Sequence, residues 1–375
     1  MSPLVTLTGD GTFRAPDTEA IIAHELPDDP HLAALMRLRA LLGDDLEDQI
    51  ATRLYLPAAL GIDDTDHLLP STLVMLAGMT GDLAPYGWRM GPGLGRAWQH
   101  AWEQQQLTVE AARIALYGYE GPLMVTVLGP ATLAAASFLS TGERTLSDPG
   151  AVRDLPMLLA EGITEHLAEL RDRVPGARPH VLVREDAVAG VVAGRIPTPS
   201  GRRRYPPIPA PEIGHLWLRL LAALGETGAL GAEEITLGVG ADAALVTAAR
   251  DAGARRLAVA PRRQPALSTD AGRGIWEGLA AATEAGCALE LVVDPRPGGG
   301  MADELDQVLE TWRRLGYSSA QAAGFGLIAH TGASHDVHAG RVDPSAQPGL
   351  HTLLDEPGIE ALLRAAPAWA ERVES

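Results

Sequence analysis

GPLMVTVLGPATLAAASFLSTGERTLSDPGAVRDL, residues Gly121–Leu155, holds one strand, one tight turn and two helix starts. Pro122–Leu128 is an apolar run rich in β-branched residues, and Gly129-Pro130 ends it. Thr132 opens a small-residue helical run, and Ser147-Asp148-Pro149 opens a second helix. Asp148 suits the N-cap, while Pro149 at the first helical position gives up an N–H that would have no partner there. This is the strand-to-helix unit of a parallel sheet.

The rest of the chain repeats that unit. Leu4–Thr8 reads as a first strand ending in the turn Gly9-Asp10-Gly11-Thr12, and Asp17–Glu25 as a short helix. Pro30–Leu42 has helical spacing, Asp44–Leu60 continues it, and a second strand is placed near Thr72–Leu76. Ala97–Leu116 is a helix, with Trp98 and Trp102 one turn apart as a packing pair. Val152–Val174 is a long amphipathic helix, followed by strand His180–Val183 and Arg184-Glu185-Asp186. Ile196–Pro209, rich in proline and arginine, is too long for a simple connector and reads as a lid or substrate loop. After the Pro211–Leu224 helix come strands Glu234–Val239, Arg256–Ala260, Ala288–Val293 and Phe325–His330. Helices Ala241–Ala252, Gly272–Ala285, Met301–Leu315 and Gly358–Val373 follow them in turn. Seven or eight strands in βα order favour a closed (β/α)8 TIM barrel, α/β in class and a single domain over 1–375, over an open sheet. Its irregular parts are a helical excursion at about 31–118 and the loop at about 196–210.

Composition narrows the function classes. The formal charge is −18, with 48 acidic residues against 30 basic ones, all arginine. Such a surface repels nucleic acid and anionic lipid. No apolar run reaches the length of a membrane span and no signal pattern opens the chain, so the expected location is cytoplasmic. The single cysteine, Cys287, excludes an internal disulfide and a cysteine-rich metal site. It precedes the seventh strand, at the bottom of the barrel, where a small buried apolar role fits better than a nucleophilic one.

Four groups of residues resemble the actinobacterial single-domain relatives of cobalamin-independent methionine synthase. They are Gly129-Pro130-Ala131-Thr132-Leu133; Gly142-Glu143-Arg144 with Asp148-Pro149-Gly150; Val192-Ala193-Gly194-Arg195-Ile196-Pro197-Thr198 with Ser200-Gly201; and Thr311-Trp312-Arg313-Arg314-Leu315-Gly316. The resemblance runs from about Thr8 to Ser334. It implies a (β/α)8 barrel whose C-terminal face carries a zinc ion that activates homocysteine as a thiolate, with methyltetrahydrofolate as methyl donor.

That chemistry needs soft ligands, and the matching positions lack them. The family's His-x-Cys pair falls on Gly238-Val239-Gly240, its last cysteine on Thr331, and its Asp-Glu-Pro on Arg184-Glu185-Asp186. The first-strand Ser-x-Pro turn has become Thr12-Phe13-Arg14, and the pterin-stacking tryptophan is matched by Ala136. These replacements argue against zinc. A folate-type ligand stays open.

What stands there instead is positive charge. Arg14, Arg184, Arg262, Arg263 and Arg296 lie at or just past predicted strand ends, and Arg202-Arg203-Arg204 lie in the long loop. A barrel brings those ends to one face, and guanidinium forks suit carboxylates and phosphates. The expected pocket therefore takes an anionic small molecule, such as a folate polyglutamate tail or a porphyrin-type polycarboxylate like that of the related uroporphyrinogen decarboxylase fold. The alternative is that these arginines pair with the chain's own acids. Glu185 and Asp10 are the candidate acid–base residues. His330, His335 and His338, with Asp336, form an alternative metal cluster. The run Gly298-Gly299-Gly300 lacks the lysine and hydroxyl residue of a nucleotide loop. Two functions follow: an anion-binding barrel that has lost zinc-thiolate chemistry, or an active methyltransferase with a non-thiolate site. A homo-oligomer is compatible with either.

Overall fold

Thr6 pairs with Gly326 and Gly9 with Ala329, so the first and last strands of the chain lie side by side and the sheet closes on itself. The structure, a computed structural model, describes residues 4–44, 49–63, 65–295, 301–331 and 353–374. In chain order the elements begin β1 (Val5–Gly9), α1 (Thr18–Ala23), α2 (Pro30–Leu42), β2 (Ile50–Thr52), β3 (Leu54–Leu56) and α3 (Leu68–Leu73). There follow β4 (Gly81–Ala84), β5 (Gly87–Met90), α4 (Arg96–Ala115), β6 (Pro122–Leu128), α5 (Pro130–Ala136), α6 (Pro149–Arg173), β7 (Arg178–Arg184) and α7 (Val188–Val192). The last part holds α8 (Ala210–Glu226), β8 (Ile235–Gly238), α9 (Ala243–Asp251), β9 (Arg256–Val259), α10 (Asp270–Glu284), β10 (Ala288–Val293), α11 (Met301–Arg314), β11 (Gly326–Ala329) and α12 (Glu356–Glu374).

The parallel order is β2-β1-β11-β10-β9-β8-β7-β6-β3. β2 and β3 are consecutive halves of one run broken only at Arg53, whose N–H donates to Leu7 O at 2.7 Å and whose carbonyl accepts from Thr8 Oγ1 at 2.8 Å. Counted as one stave, they join β1 to β6 and complete a ring of eight among the described residues. That is the (β/α)8 arrangement the sequence predicts.

The second strand is thus Ile50–Leu56 and not Thr72–Leu76, which lies in α3 and the turn after it. The segment Asp44–Leu60, read as helix, contains that strand. Its apolar spacing was ambiguous because the run is short and buried on both faces, so helix and strand periods cannot be told apart. The antiparallel hairpin β4–β5, where Gly81 pairs with Met90, was also not anticipated. Trp98 is buried, but Trp102 is exposed, so the two do not form a packing pair.

Period-2 alternation divides the staves between two cores. Val181, Val183, Leu257, Val259, Leu291, Val293 and Leu327 face the helices and are buried. Leu182, Ala258, Val292 and Ile328 point inward beneath the mouth. Below this apolar layer the interior is ionic: Glu290, fully buried, accepts from Arg256 Nη1 at 2.7 Å and from Arg53 Nη2 at 3.3 Å. His180 belongs to the same end; burial and the nearby Arg53, Arg256 and Arg178 charges depress its pKa to about 3, which keeps it neutral. Glu290 is seated by Gly326, where a Cβ would stand 1.8 Å from its carboxylate oxygen.

No helix among the described residues is long and apolar enough to cross a membrane.

Candidate functional site

Asp10 follows β1 and His330 follows β11, the two strands whose register closes the ring, so their side chains meet at the mouth. Asp10 Oδ2 lies 2.5 Å from His330 Nδ1. Gly11, at φ +88°, turns the chain back so that Thr12 N and Thr12 Oγ1 both donate to Asp10 Oδ1, at 2.9 and 2.7 Å. A Cβ on Gly11 would also strike Thr126. The turn is fixed from behind, because Tyr55 donates to Thr12 O at 3.0 Å and Leu354 N donates to Thr12 Oγ1 at 3.1 Å.

Across the mouth, Arg184 at the end of β7 places Nη1 at 3.2 Å from Asp10 O and 3.4 Å from Asp10 Oδ2, while Nη2 lies 2.7 Å from Asp186 Oδ2. Burial by itself would raise the Asp10 pKa. The His330 hydrogen bond, the Arg184 charge and Thr12 outweigh it and hold the carboxyl below its usual range. Ionised Asp10 is therefore placed to accept from Nδ1–H and to orient the imidazole.

These groups line a cavity of about 300 Å³, at the small end of ligand pockets, roughly 300–1,000 Å³. Its floor is Leu182, Ala258, Val292 and Ile328, one wall is the Gly238–Ala241 backbone, and its rim holds Asp186, Arg195 and Gln264. Among the described residues its lining carries three carboxylates, Asp10, Glu185 and Asp186, against two guanidiniums, Arg184 and Arg195. Over the described residues, then, the lining is not predominantly cationic.

Glu185 is present at the mouth but is occupied. Its oxygens accept from Ala131 N (3.1 Å), Thr132 N (2.8 Å), Thr132 Oγ1 (2.8 Å) and Trp217 Nε1 (2.8 Å). Gly129 allows this approach, since a Cβ there would lie 2.4 Å from the carboxyl carbon. Burial raises the Glu185 pKa, and the four donors oppose that rise. With both oxygens filled, it ties β7 to α5 and α8 and is a poor general base in this arrangement.

The arginines separate in the same way. Of the six expected to bind ligand, Arg184 lines the cavity. Arg14 sits 3.6 Å from Asp355, and Arg262 places Nε 3.4 Å from Glu304 while its N–H donates to the same carboxylate at 2.8 Å. Arg203 is exposed on the 196–209 loop. The Arg263 side chain, Arg296, His335, Asp336 and His338 lie outside the described residues.

His330 reaches the mouth, but its Nδ1 is held by Asp10. Among the described residues no three His, Cys, Asp or Glu side chains converge to hold a metal ion. The implied zinc does not fit the donors at the matching positions: Gly238 and Gly240 have no side chain, and Thr331 offers only a buried hydroxyl. Asp186 and Arg195, which the sequence does not mark as site residues, also line the cavity; their one sequence signal is their place in the segment after β7.

No protein-family model and no curated protein matches the chain. Among solved structures it is similar to a mandelate racemase/muconate lactonizing protein from Herpetosiphon aurantiacus, at 12% identity and TM-score 0.28 over 70% of this chain and 60% of that one. A second similar structure is the carboxyl transferase domain of Rhizobium etli pyruvate carboxylase, solved with 3-bromopyruvate, at 14% identity and TM-score 0.26 over 71% of this chain and 43% of that one. The chain thus spans less than two thirds of either structure.

Proposed function

We propose that the mouth of the barrel binds a compact molecule bearing an anionic group and moves a proton on it. The observation that carries this reading is the Asp10–His330 pair on the cavity wall, 2.5 Å apart. His330 Nε2 takes a proton from the bound molecule. The imidazolium that forms is balanced by Asp10, and the proton returns to the product from the same nitrogen. Arg184 and Arg195, both in the cavity lining, supply the charge that one anionic group would meet. This keeps the anionic ligand expected from the sequence but reduces the number of arginines that hold it inside the cavity.

A second reading, methyl transfer from a folate-type donor, uses the same pair to deprotonate the accepting nucleophile. The Asp-oriented base favours it, and the cavity's size requires most of such a donor to lie outside.

The test is proton exchange. The protein is incubated in deuterated water with a panel of small mono-carboxylates that stabilise it thermally, and deuterium entering carbon is read by mass spectrometry. Wild type is expected to exchange, and His330→Gln to slow exchange by about 100-fold or more. Binding without exchange, or exchange that survives His330→Gln, overturns the proton-transfer reading. Methyl transfer from methyltetrahydrofolate without exchange would install the second.

A further inference from the structure

Two residues beyond the cavity-lining Arg195, the chain makes a small hairpin in which Pro197 bridges Arg204. Thr198 N donates to Arg203 O at 2.9 Å, Gly201 N donates to Thr198 O at 2.8 Å with Gly201 at φ +69°, and Tyr205 N donates to Ile196 O at 3.0 Å. Its base is anchored from the neighbouring segment between α5 and α6. Arg144, fully buried, donates Nε to Pro197 O at 2.9 Å and Nη1 to Ala135 O at 2.7 Å. Tyr205 donates its hydroxyl to Glu143 at 2.6 Å. Ile196 and Tyr205 are buried, so this is a built platform and not a loose connector.

The platform exposes Pro199–Arg204. Arg204 turns back, placing Nη1 at 3.3 Å from Arg195 O beside the cavity. The Arg202 and Arg203 side chains make no hydrogen bond or ion pair with any described residue. In a chain of formal charge −18, a merely solvating arginine would be expected to sit near one of 48 acids. Consecutive arginines on a fixed support instead leave exposed positive charge where an anion can pair with it.

We infer that the hairpin 197–204 is a second anion subsite, so that the ligand has two parts: a reacting group in the cavity and an oligoanionic tail, carboxylate or phosphate, lying across Arg202 and Arg203. This inference rests on the reading of the cavity as a ligand site. It assigns the tail to charges outside the cavity, whose own lining holds more carboxylates than guanidiniums. Planar guanidinium forks pair with carboxylates and phosphates alike, so the experiment separates the two.

Calorimetric titration of the full chain with acetate, citrate and inorganic triphosphate, at low and raised salt, tests it. Wild type is expected to bind citrate or triphosphate at least about tenfold more tightly than acetate, a preference that shrinks with salt. Which of the two binds better names the tail. Arg202→Ser/Arg203→Ser, on the exposed tip and so without consequence for folding, is expected to bring the oligoanion to within about threefold of acetate. An unchanged preference in that variant, or no preference in wild type, overturns the subsite. Binding of poly-glutamate without any of the small anions would make the hairpin a docking point for an acidic polypeptide and would equally overturn the two-part ligand. Wild-type exchange separates the readings: if the wild-type protein never exchanges deuterium but the arginine pair still governs oligoanion binding, the subsite stands and the proton chemistry falls.

Discussion

Among the described residues the barrel holds two buried ionic networks, one at each end, and they differ in what lies next to them. At the mouth, Arg184 bridges Asp10 and Asp186 beside a cavity, and His330 completes the set. At the opposite end, Glu290 lies between Arg53 and Arg256 beneath the apolar layer, outside the lining of that cavity. Each mixes acid and guanidinium. The sealed network, centred on the fully buried Glu290 and with Arg256 partly open to solvent, is expected to act on stability. The open one faces the cavity that the proposed function assigns to a ligand. Position along the strand, and not residue type, divides the two roles.

The largest expected effect comes from unbalancing the sealed end. Glu290→Gln would leave two guanidiniums facing a neutral amide in the interior, a loss of roughly 3–5 kcal/mol. Urea unfolding should show it as a lowered midpoint, with acetate binding unchanged in the folded fraction. If the midpoint hardly moves, the two ends are not different in kind.

Glu185→Gln is expected to cost less, roughly 2–3 kcal/mol, because the amide can serve some of the four donors but turns an N–H₂ toward the others. The same urea measurement reads it. Were Glu185 the proton carrier, its replacement would abolish deuterium exchange while stability stayed near wild type, which would reverse the assignment made from its occupied oxygens.

The most gradual effect is with pH, spread over several units. His67 and His166 line a second cavity, of about 30 Å³, between the barrel and α2, α3, α4 and α6. Burial depresses both pKa values to about 4. The unfolded chain then binds protons that the folded chain refuses, so stability is full above about pH 6.5 and falls as pH drops toward 4, by about 1.4 kcal/mol per unit for each histidine. Asp10, whose carboxyl is held below its usual range, adds its loss only further down, below about pH 4. Thermal melting between neutral and mildly acidic pH should therefore steepen well before Asp10 titrates. His166→Gln should flatten that part of the curve, and an unaltered slope would place the acid sensitivity elsewhere.

Much of this was legible in the residues. The strand–turn–helix of Pro122–Ala136 and the four βα units after Pro211 were located to within a few residues, because each alternates a β-branched run with a capped helix. The Ile50–Leu56 stave was not, since so short a buried run carries neither period clearly. Asp10 and His330 were both named, but as separate candidates, one as an acid and one as a metal ligand. Their pairing depends on the closure of β1 against β11, across 320 positions of sequence.

By itself, then, the sequence determined the alternation that builds the barrel, the acidic surface, and the absence of side-chain ligands at Gly238, Gly240 and Thr331, since these are properties of local pattern and residue chemistry. Only the tertiary structure decided which charges are spent within the protein: Glu185 on the α5 amides and Trp217, Arg14 and Arg262 on Asp355 and Glu304, and Arg184 on Asp10 and Asp186. The reason is physical. A charge taken out of water must find a partner within a few ångströms, and that partner is set by strand register and helix placement.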